Sequence, residues 1–119
     1  MSTLKSSSEN LKLQGDINYS VEFVSGINEM RTAKTASFTP DLQDEGTVFS
    51  VSGTLTLTMP TAASGAFFTV IDAGTGTLSW GGTIKWSAGA APTGSGITIY
   101  TFVSDGTNWY GSMAGNGYA

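Results

Sequence analysis

Residues 97–111 read ITIYTFVSDGTNWYG, two runs of alternating side chains on either side of an Asp-Gly turn. Alternation with a period of two is typical of a β-strand, and Asp-Gly between two such runs predicts a tight hairpin. One face of that hairpin would carry Tyr100 and Trp109, and the other would carry Val103 and Tyr110. Because a two-layer sandwich covers only one face of each sheet, the second apolar face predicts a further layer or another subunit.

The same alternation continues upstream of the hairpin. Residues 67–71 read FFTVI, a strand with apolar residues on both sides, which predicts a central position in its sheet. Between residues 49 and 59 the apolar residues share one parity, so Ser52-Gly53 is either a bulge in one long strand or a hairpin turn, with parity favouring the bulge. Pro60 should end this run because proline has no N–H for the ladder.

A Gly-Gly pair beside the first tryptophan of the region predicts a second hairpin. Gly81 and Gly82 follow Trp80 directly, and both central residues of a two-residue turn need positive φ. In that register Trp80 and Trp86 would point to opposite faces of the sheet.

Charge is concentrated near the N-terminus and divides the chain in two. Seven of nine acidic and four of five basic residues precede Gly46, and residues 46–119 carry only Asp72, Lys85 and Asp105. Soluble domains usually keep about a quarter of their residues charged. We therefore expect a β-sandwich domain at residues 46–119 that hides much of its surface against copies of itself or a larger particle.

Residues 1–45 are predicted to form an extended N-terminal arm with short strands. Alternation over residues 17–23 predicts a strand, and residues 29–34 fit either a helical turn or a further strand. Residues 41–46 read as a solvated connecting loop. Because such an arm has too few apolar residues to form a hydrophobic core of its own, we expect it to dock on the second region or on a neighbouring subunit.

Composition excludes several kinds of partner. The net charge is −4 and the five Lys and Arg residues are scattered, which argues against a nucleic-acid partner. No stretch approaches the roughly 18 consecutive apolar residues of a membrane span. Residues 1–8 lack the apolar core of a secretory signal, so the chain is expected to be made in the cytoplasm and not to enter a membrane.

The chain has little equipment for catalysis. It has no His and no Cys, which removes the commonest general base, the thiolate nucleophile and thiolate metal ligands. The acidic residues of loop 41–45 could supply a carboxylate pair, but no aromatic sugar platform lies near them in the sequence. Asp72 and Asp105 sit in Gly-rich turns, where a carboxylate accepts backbone N–H groups more readily than it binds calcium. We expect no catalytic residue, no metal and no cofactor.

Aromatic residues are the candidates for contact with a partner, since they combine a large apolar surface with a polar edge. The candidate oligomer-interface residues are Tyr100, Phe102, Trp109, Tyr110, Met113 and Tyr118. The candidate contacts to a ligand or receptor, such as a glycan, are Trp80 and Trp86.

Four segments together resemble a known viral module. They are TVFSVSG at residues 47–53, LTLTMP at 55–60, IKWSAGAAPT at 84–93 and IYTFVSDGTNWYG at 99–111. They look like the C-terminal β-module of tailed-bacteriophage fibre and related virion surface proteins, over roughly residues 46–119. The resemblance implies a cysteine-free, β-rich homotrimer whose N-terminal segment attaches to the particle.

These observations predict an all-β protein: a small antiparallel, jelly-roll-like β-sandwich with an extended N-terminal arm, assembled as a homotrimer. The expected function is that of a non-enzymatic bacteriophage virion protein, a capsid-surface decoration or a fibre or tail-fibre component, made in the host cytoplasm. Its partners would be its own copies and, through the N-terminal region, other virion proteins. The alternative is a module that binds a host-surface glycan or receptor through exposed aromatics.

Overall fold

Strands dominate the structure, and the all-β prediction is confirmed. The computed structural model describes residues 31–118, so the strand expected at residues 17–23 lies outside the described part. Within residues 31–118 the only helical element is a single 3-10 turn, Ser87–Gly89. In chain order, the strands are β1 (Arg31–Lys34), β2 (Val48–Val51), β3 (Leu55–Thr58), β4 (Ser64–Asp72), β5 (Leu78–Gly81), β6 (Ile84–Trp86), β7 (Ile97–Asp105) and β8 (Trp109–Tyr118).

The strands form a six-stranded sheet, in the order β1-β2-β4-β7-β8-β6, and a two-stranded sheet, β3-β5. The chain winds between them in solenoid-like turns. β1, β2 and β4 pair in parallel in the larger sheet, and β3 and β5 pair in parallel in the smaller one. Phe38, which follows β1, bridges in parallel to Leu57 of β3. Each turn thus adds a segment to both sheets, and the β7–β8 hairpin completes the larger one.

The predicted antiparallel sandwich is wrong in its strand pairing, and the winding is solenoid-like. Among residues 31–118 four of the six strand pairs are parallel, and β4–β7 and β7–β8 are antiparallel. Side-chain alternation shows which face a residue occupies, and it has the same period in both kinds of sheet. The alternation therefore identified strands without fixing their direction.

Two predicted turns are corners between the sheets. The Ser52-Gly53 pair makes neither a bulge in one strand nor a hairpin: Gly53, at φ +84°, turns the chain from β2 in one sheet to β3 in the other. The Gly81-Gly82 hairpin is also wrong, because β5 pairs with β3 and β6 pairs with β8. As a result the Trp80 and Trp86 rings do not point apart; their centroids lie 5.2 Å from each other.

Other local predictions are confirmed. β7 and β8 form the hairpin expected around Asp105-Gly106, β4 lies in the interior of its sheet, and β3 ends before Pro60. Of the two alternatives for residues 29–34, the strand is found at β1. Strand pairing also continues across the predicted boundary at residue 46, since β1 on the arm side pairs with β2.

The core lies between the two sheets and is largely aromatic. Phe68 stacks on Phe102 with centroids 4.8 Å apart and meets Trp109 edge to face at 5.2 Å. Within residues 31–118 the second sheet has two strands, and the rings of Trp80 and Trp86 add to the cover over Phe102. The buried core residues are Phe49, Val51, Leu55, Leu57, Met59, Phe68, Val70, Tyr100, Phe102 and Trp109.

Candidate functional site

The outer face of the six-stranded sheet carries an apolar band across three neighbouring strands. Phe67 of β4 lies opposite Val103 of β7, and Val103 lies opposite Tyr110 of β8. Their side chains are 58%, 50% and 42% exposed, while their sequence neighbours Phe68, Phe102 and Trp109 are buried on the inner face. Lys85 of β6 pairs with Tyr110 and supplies a cation at the end of the band.

A polar row and a second apolar group lie beside this band. Thr101 pairs with Ser112, and their hydroxyl oxygens are hydrogen-bonded at 3.1 Å. Farther along the same strands, Ile71 lies opposite Ile99, and Ile97 lies opposite Tyr118. Ile97 and Tyr118 are among the exposed large hydrophobic residues. We refer to the two apolar groups and the hydroxyl row between them as the outer face.

Two hollows shape the outer face. The larger, about 470 Å³, lies at β6, β7 and β8 and is lined by residues that include Lys85, Val103 and Tyr110. The smaller, about 280 Å³, is bordered by Ile71 and Ile97. Contiguous apolar surface with such concavities is typical of contact sites on proteins rather than of freely solvated sheets.

The structure divides the six predicted interface residues between the two faces of the hairpin. Tyr100, Phe102 and Trp109 are buried within their own subunit, and Met113 packs against the same core. Tyr110 and Tyr118 lie on the outer face and are exposed. Burial therefore leaves these two available for contact with another molecule, whereas the other four stabilise the subunit.

The most exposed large apolar residue of the outer face, Phe67, is not among the residues that the sequence predicted for an interface. For residues 67–71 the sequence predicts a strand with apolar residues on both sides and a central position in its sheet, without singling out Phe67. The alternation of the strand does indicate the position of Phe67, because Phe67 faces away from the side that carries the buried residues Phe68 and Val70. Pairing with Val103 could not be read from the sequence, since it depends on the register of β4 against β7.

The two tryptophans proposed as ligand contacts are half-buried and belong to one aromatic group. Trp80 meets Trp86 edge to face at 5.2 Å and Tyr100 at 5.0 Å. Neither ring stands at a hairpin tip, so the expected exposed platform is absent at these two residues. Each ring instead lines a different hollow, Trp80 near Asp72 and Trp86 near Lys85.

Trp109 joins two of the segments that carry the fibre resemblance. Its ring is buried, and its Nε1–H donates to the carbonyl oxygen of Pro60 at 2.8 Å. The end of the Leu-Thr-Leu-Thr-Met-Pro run and the start of β8 are thereby held together. This contact fixes the inner side of the hairpin, and so it positions Tyr110 on the other side.

The hairpin tip is stabilised by the acid that the sequence assigned to it, which confirms the predicted turn role. Asp105 Oδ1 accepts the backbone N–H groups of Thr107 and Asn108 at 2.9 and 2.8 Å. The Tyr110 hydroxyl donates to Asp105 Oδ2 at 3.1 Å. Hydrogen bonds from the Asn108 and Thr107 backbone lower the pKa of the Asp105 carboxyl. The carboxylate thus orients Tyr110 within the outer face.

The acidic loop is fastened to β1. Lys34 Nζ donates to Glu45 Oε2 at 2.6 Å and lies 5.0 Å from the Phe38 ring centroid. The hydrogen bond from Lys34, with a further one from the Asp41 backbone, lowers the pKa of Glu45. Asp41 Oδ1 itself accepts the N–H groups of Gln43 and Asp44. These carboxylates are engaged in local structure.

The described residues contain no group of three metal-ligating side chains. No helix within residues 31–118 has the length and apolarity needed to cross a bilayer. Comparison of the chain with family models, curated proteins and solved structures finds no match. The resemblance to fibre modules therefore stays a prediction.

Proposed function

We propose that this chain is a non-enzymatic structural protein of a bacteriophage virion that associates with its own copies through the outer face. The observation that carries the proposal is the exposed band of Phe67, Val103 and Tyr110 on a sheet whose inner face is already covered. A strand pair that is apolar on both sides needs a neighbour on both sides. The chain supplies one of them from its second sheet.

The composition of the outer face suits contact with another protein surface. Interfaces combine an apolar centre with hydrogen-bonding groups, and aromatic residues are enriched in them. The apolar band offers two rings and Val103, and the Thr101–Ser112 row offers hydroxyl groups beside it. Phe67 projects from the surface, and the hollow at Tyr110 could receive such a ring from a second copy.

The virion assignment draws on the sequence resemblance and on the placement of charge. The segments that resemble fibre modules include Trp109, Pro60 and the hairpin tip, which together position Tyr110. The N-terminal 45 residues hold most of the charged groups and are proposed to attach to other virion proteins. A homotrimer is proposed because the resembling fibre modules assemble in threes.

Sedimentation velocity of the full chain tests the assembly. We expect a species three times the 12.3 kDa chain mass at micromolar concentration. A stable 12.3 kDa monomer under those conditions would overturn it. Detection of the protein by mass spectrometry in purified phage particles tests the virion assignment separately, and its absence from particles would remove that part of the proposal.

A further inference from the structure

A further concave site lies away from the outer face, between the smaller sheet and the inner side of the larger one. It is a cleft of about 330 Å³ formed by the end of β4, β5, β7 and the loop at residues 92–94. Its volume is at the lower end of the range for small-ligand sites, about 300–1,000 Å³. The lining residues that bear on its chemistry are Asp72, Thr77, Trp80, Thr93, Gly94 and Tyr100.

Two polar groups of this cleft are buried without a full set of partners. Asp72 is 8% exposed, and its Oδ1 accepts the Gly74 N–H at 2.9 Å. Within residues 31–118 no hydrogen bond reaches Asp72 Oδ2 or the Tyr100 hydroxyl, and Lys34 on the same face pairs with Glu45 instead. Tyr100 is 4% exposed. Burial, with the Asp72 charge, raises the pKa of Tyr100, so its hydroxyl stays protonated and able to donate.

A buried polar group without a partner is costly, and a ligand that supplies the missing hydrogen bonds removes that cost. Asp72 Oδ2 requires a donor, whereas the Tyr100 hydroxyl can donate or accept. In the same cleft Trp80 offers an apolar ring that is held in place by edge contacts with Tyr100 and Trp86. A sugar ring combines hydroxyl groups at its edge with an apolar C–H face, which matches this set.

The rim of the cleft is closely packed at two glycines, Gly94 against the Thr98 side chain and Gly74 against the Gly96 backbone. A Cβ at Gly94 would lie 2.4 Å from Thr98 Oγ1, and a Cβ at Gly74 would lie 2.5 Å from the Gly96 carbonyl oxygen. Side chains are excluded at both positions, so the loop lies directly against the sheet. A cleft held in this way is formed before the ligand arrives, which reduces the ordering cost of binding.

We propose that this cleft binds one hexopyranose unit of a glycan, with the sugar ring against Trp80. One sugar hydroxyl donates to Asp72 Oδ2, and the Tyr100 hydroxyl donates to a second sugar oxygen. The site does not depend on the assembly proposal, because its residues lie on the inner side of the sheet and the outer face is untouched. For the alternative of host-glycan binding, this proposal places the glycan in the cleft rather than on an exposed tryptophan.

The test is saturation-transfer NMR on the full chain in the presence of a chelator, with glucose, galactose, mannose, rhamnose and N-acetylglucosamine as probes. A dissociation constant of about 1 mM, as for a weak single-sugar contact, is expected for at least one probe. When the sugar is added, the protein's own NMR signals should also shift: the backbone amides of Thr77 and Gly94 and the amide and indole of Trp80 should change, and the amide of Val103 should not. No transfer to any of the five sugars, or shifts confined to the outer face, would overturn the proposal.

Two substitutions that keep the shape of the site sharpen the test. Tyr100→Phe removes only the hydroxyl, and Asp72→Asn keeps Oδ1 as the acceptor for Gly74. Each should weaken sugar binding about tenfold, the equivalent of one hydrogen bond to a buried group. Tyr110→Phe removes a hydroxyl from the outer face and is the matched control, expected to bind as the wild type. Equal sugar binding by Tyr100→Phe and Tyr110→Phe would contradict the assignment of the sugar site to the cleft. If a variant fails to fold, the sugar-induced chemical-shift changes of the wild type alone decide where the sugar binds.

Discussion

The outer faces of the two sheets are both nearly free of charge, yet they differ in chemistry. The two-stranded sheet presents a polar face, in which Thr56 lies opposite Ser79 and Thr58 lies opposite Gly81. The six-stranded sheet presents Phe67, its neighbour Val103 and further apolar groups. Hydroxyl groups can be hydrated by water, whereas an exposed aromatic band cannot. Low charge alone therefore does not locate a contact surface, and the apolar content does.

The largest effect we expect separates the two sides of the six-stranded sheet. Phe68→Ala empties a position in the core and should lower the free energy of unfolding by about 3–5 kcal/mol. Phe67→Ala removes a ring that is 58% exposed and should change the stability of the dissociated subunit by no more than about 0.5 kcal/mol. Urea denaturation of the dilute protein measures both. A similar loss for the two variants would mean that Phe67 belongs to the subunit core.

A smaller effect is expected at the contact that fixes the hairpin from inside. Trp109→Phe leaves the Pro60 carbonyl oxygen without its donor and should cost about 1–3 kcal/mol in unfolding free energy. Tyr110→Phe, which loses an exposed hydrogen bond to Asp105, is the control and should cost less than about 0.5 kcal/mol. Thermal or urea unfolding distinguishes them. Equal costs would show that the tip, rather than the Pro60 contact, holds the hairpin.

The smallest effect concerns the ion pair that fastens the acidic loop. The pKa of Glu45 is lowered in the folded protein, so its stabilisation is present above the ordinary value of 4.5 and is lost as the pH falls through the folded value. Glu45→Gln should therefore reduce stability at neutral pH by at most about 1 kcal/mol, as for a half-buried ion pair near the surface. In strong acid the variant and the wild type should converge. Unfolding curves that differ equally at both pH values would contradict this role.

The alternation of residues 97–111 predicted the hairpin correctly because both of its determinants are local. The Asp105-Gly106 turn sets the register, and register sets which side chains share a face. From this register it follows that the second face of the hairpin is apolar, and the exposure of Val103 and Tyr110 agrees with that prediction.

The parallel pairing could not be predicted in the same way, because it depends on contacts between distant residues. β2 and β4 are joined through β3, which lies in the other sheet, and the spacing of the turns is unequal. Arg31 aligns with Val48, and Val48 aligns with Thr69. Without a constant repeat length, no periodic signal marks the winding. Both glycine corners are visible in the sequence, but the alternation favours a bulge at Gly53 and the Gly-Gly pair predicts a hairpin turn at Gly82.

The cleft was also beyond the reach of sequence reasoning. Asp72 was correctly assigned to a turn, since its Oδ1 accepts the Gly74 N–H. Asp72 and Tyr100 line one cleft because the register of β4 against β7 places both side chains on the inner face, and that register is not visible in the sequence. Trp80 reaches the same place from the other sheet.

A matched pair of charge substitutions tests the central claim most directly. Val103→Lys and Ser79→Lys each place one cation on an exposed strand position, on the outer faces of the larger and the smaller sheet respectively. Sedimentation velocity should show self-association weakened by about 100-fold or more for Val103→Lys, because an unpaired charge would be buried in the contact. Ser79→Lys should associate as the wild type does. If both variants assemble like the wild type, the outer face is not the contact surface.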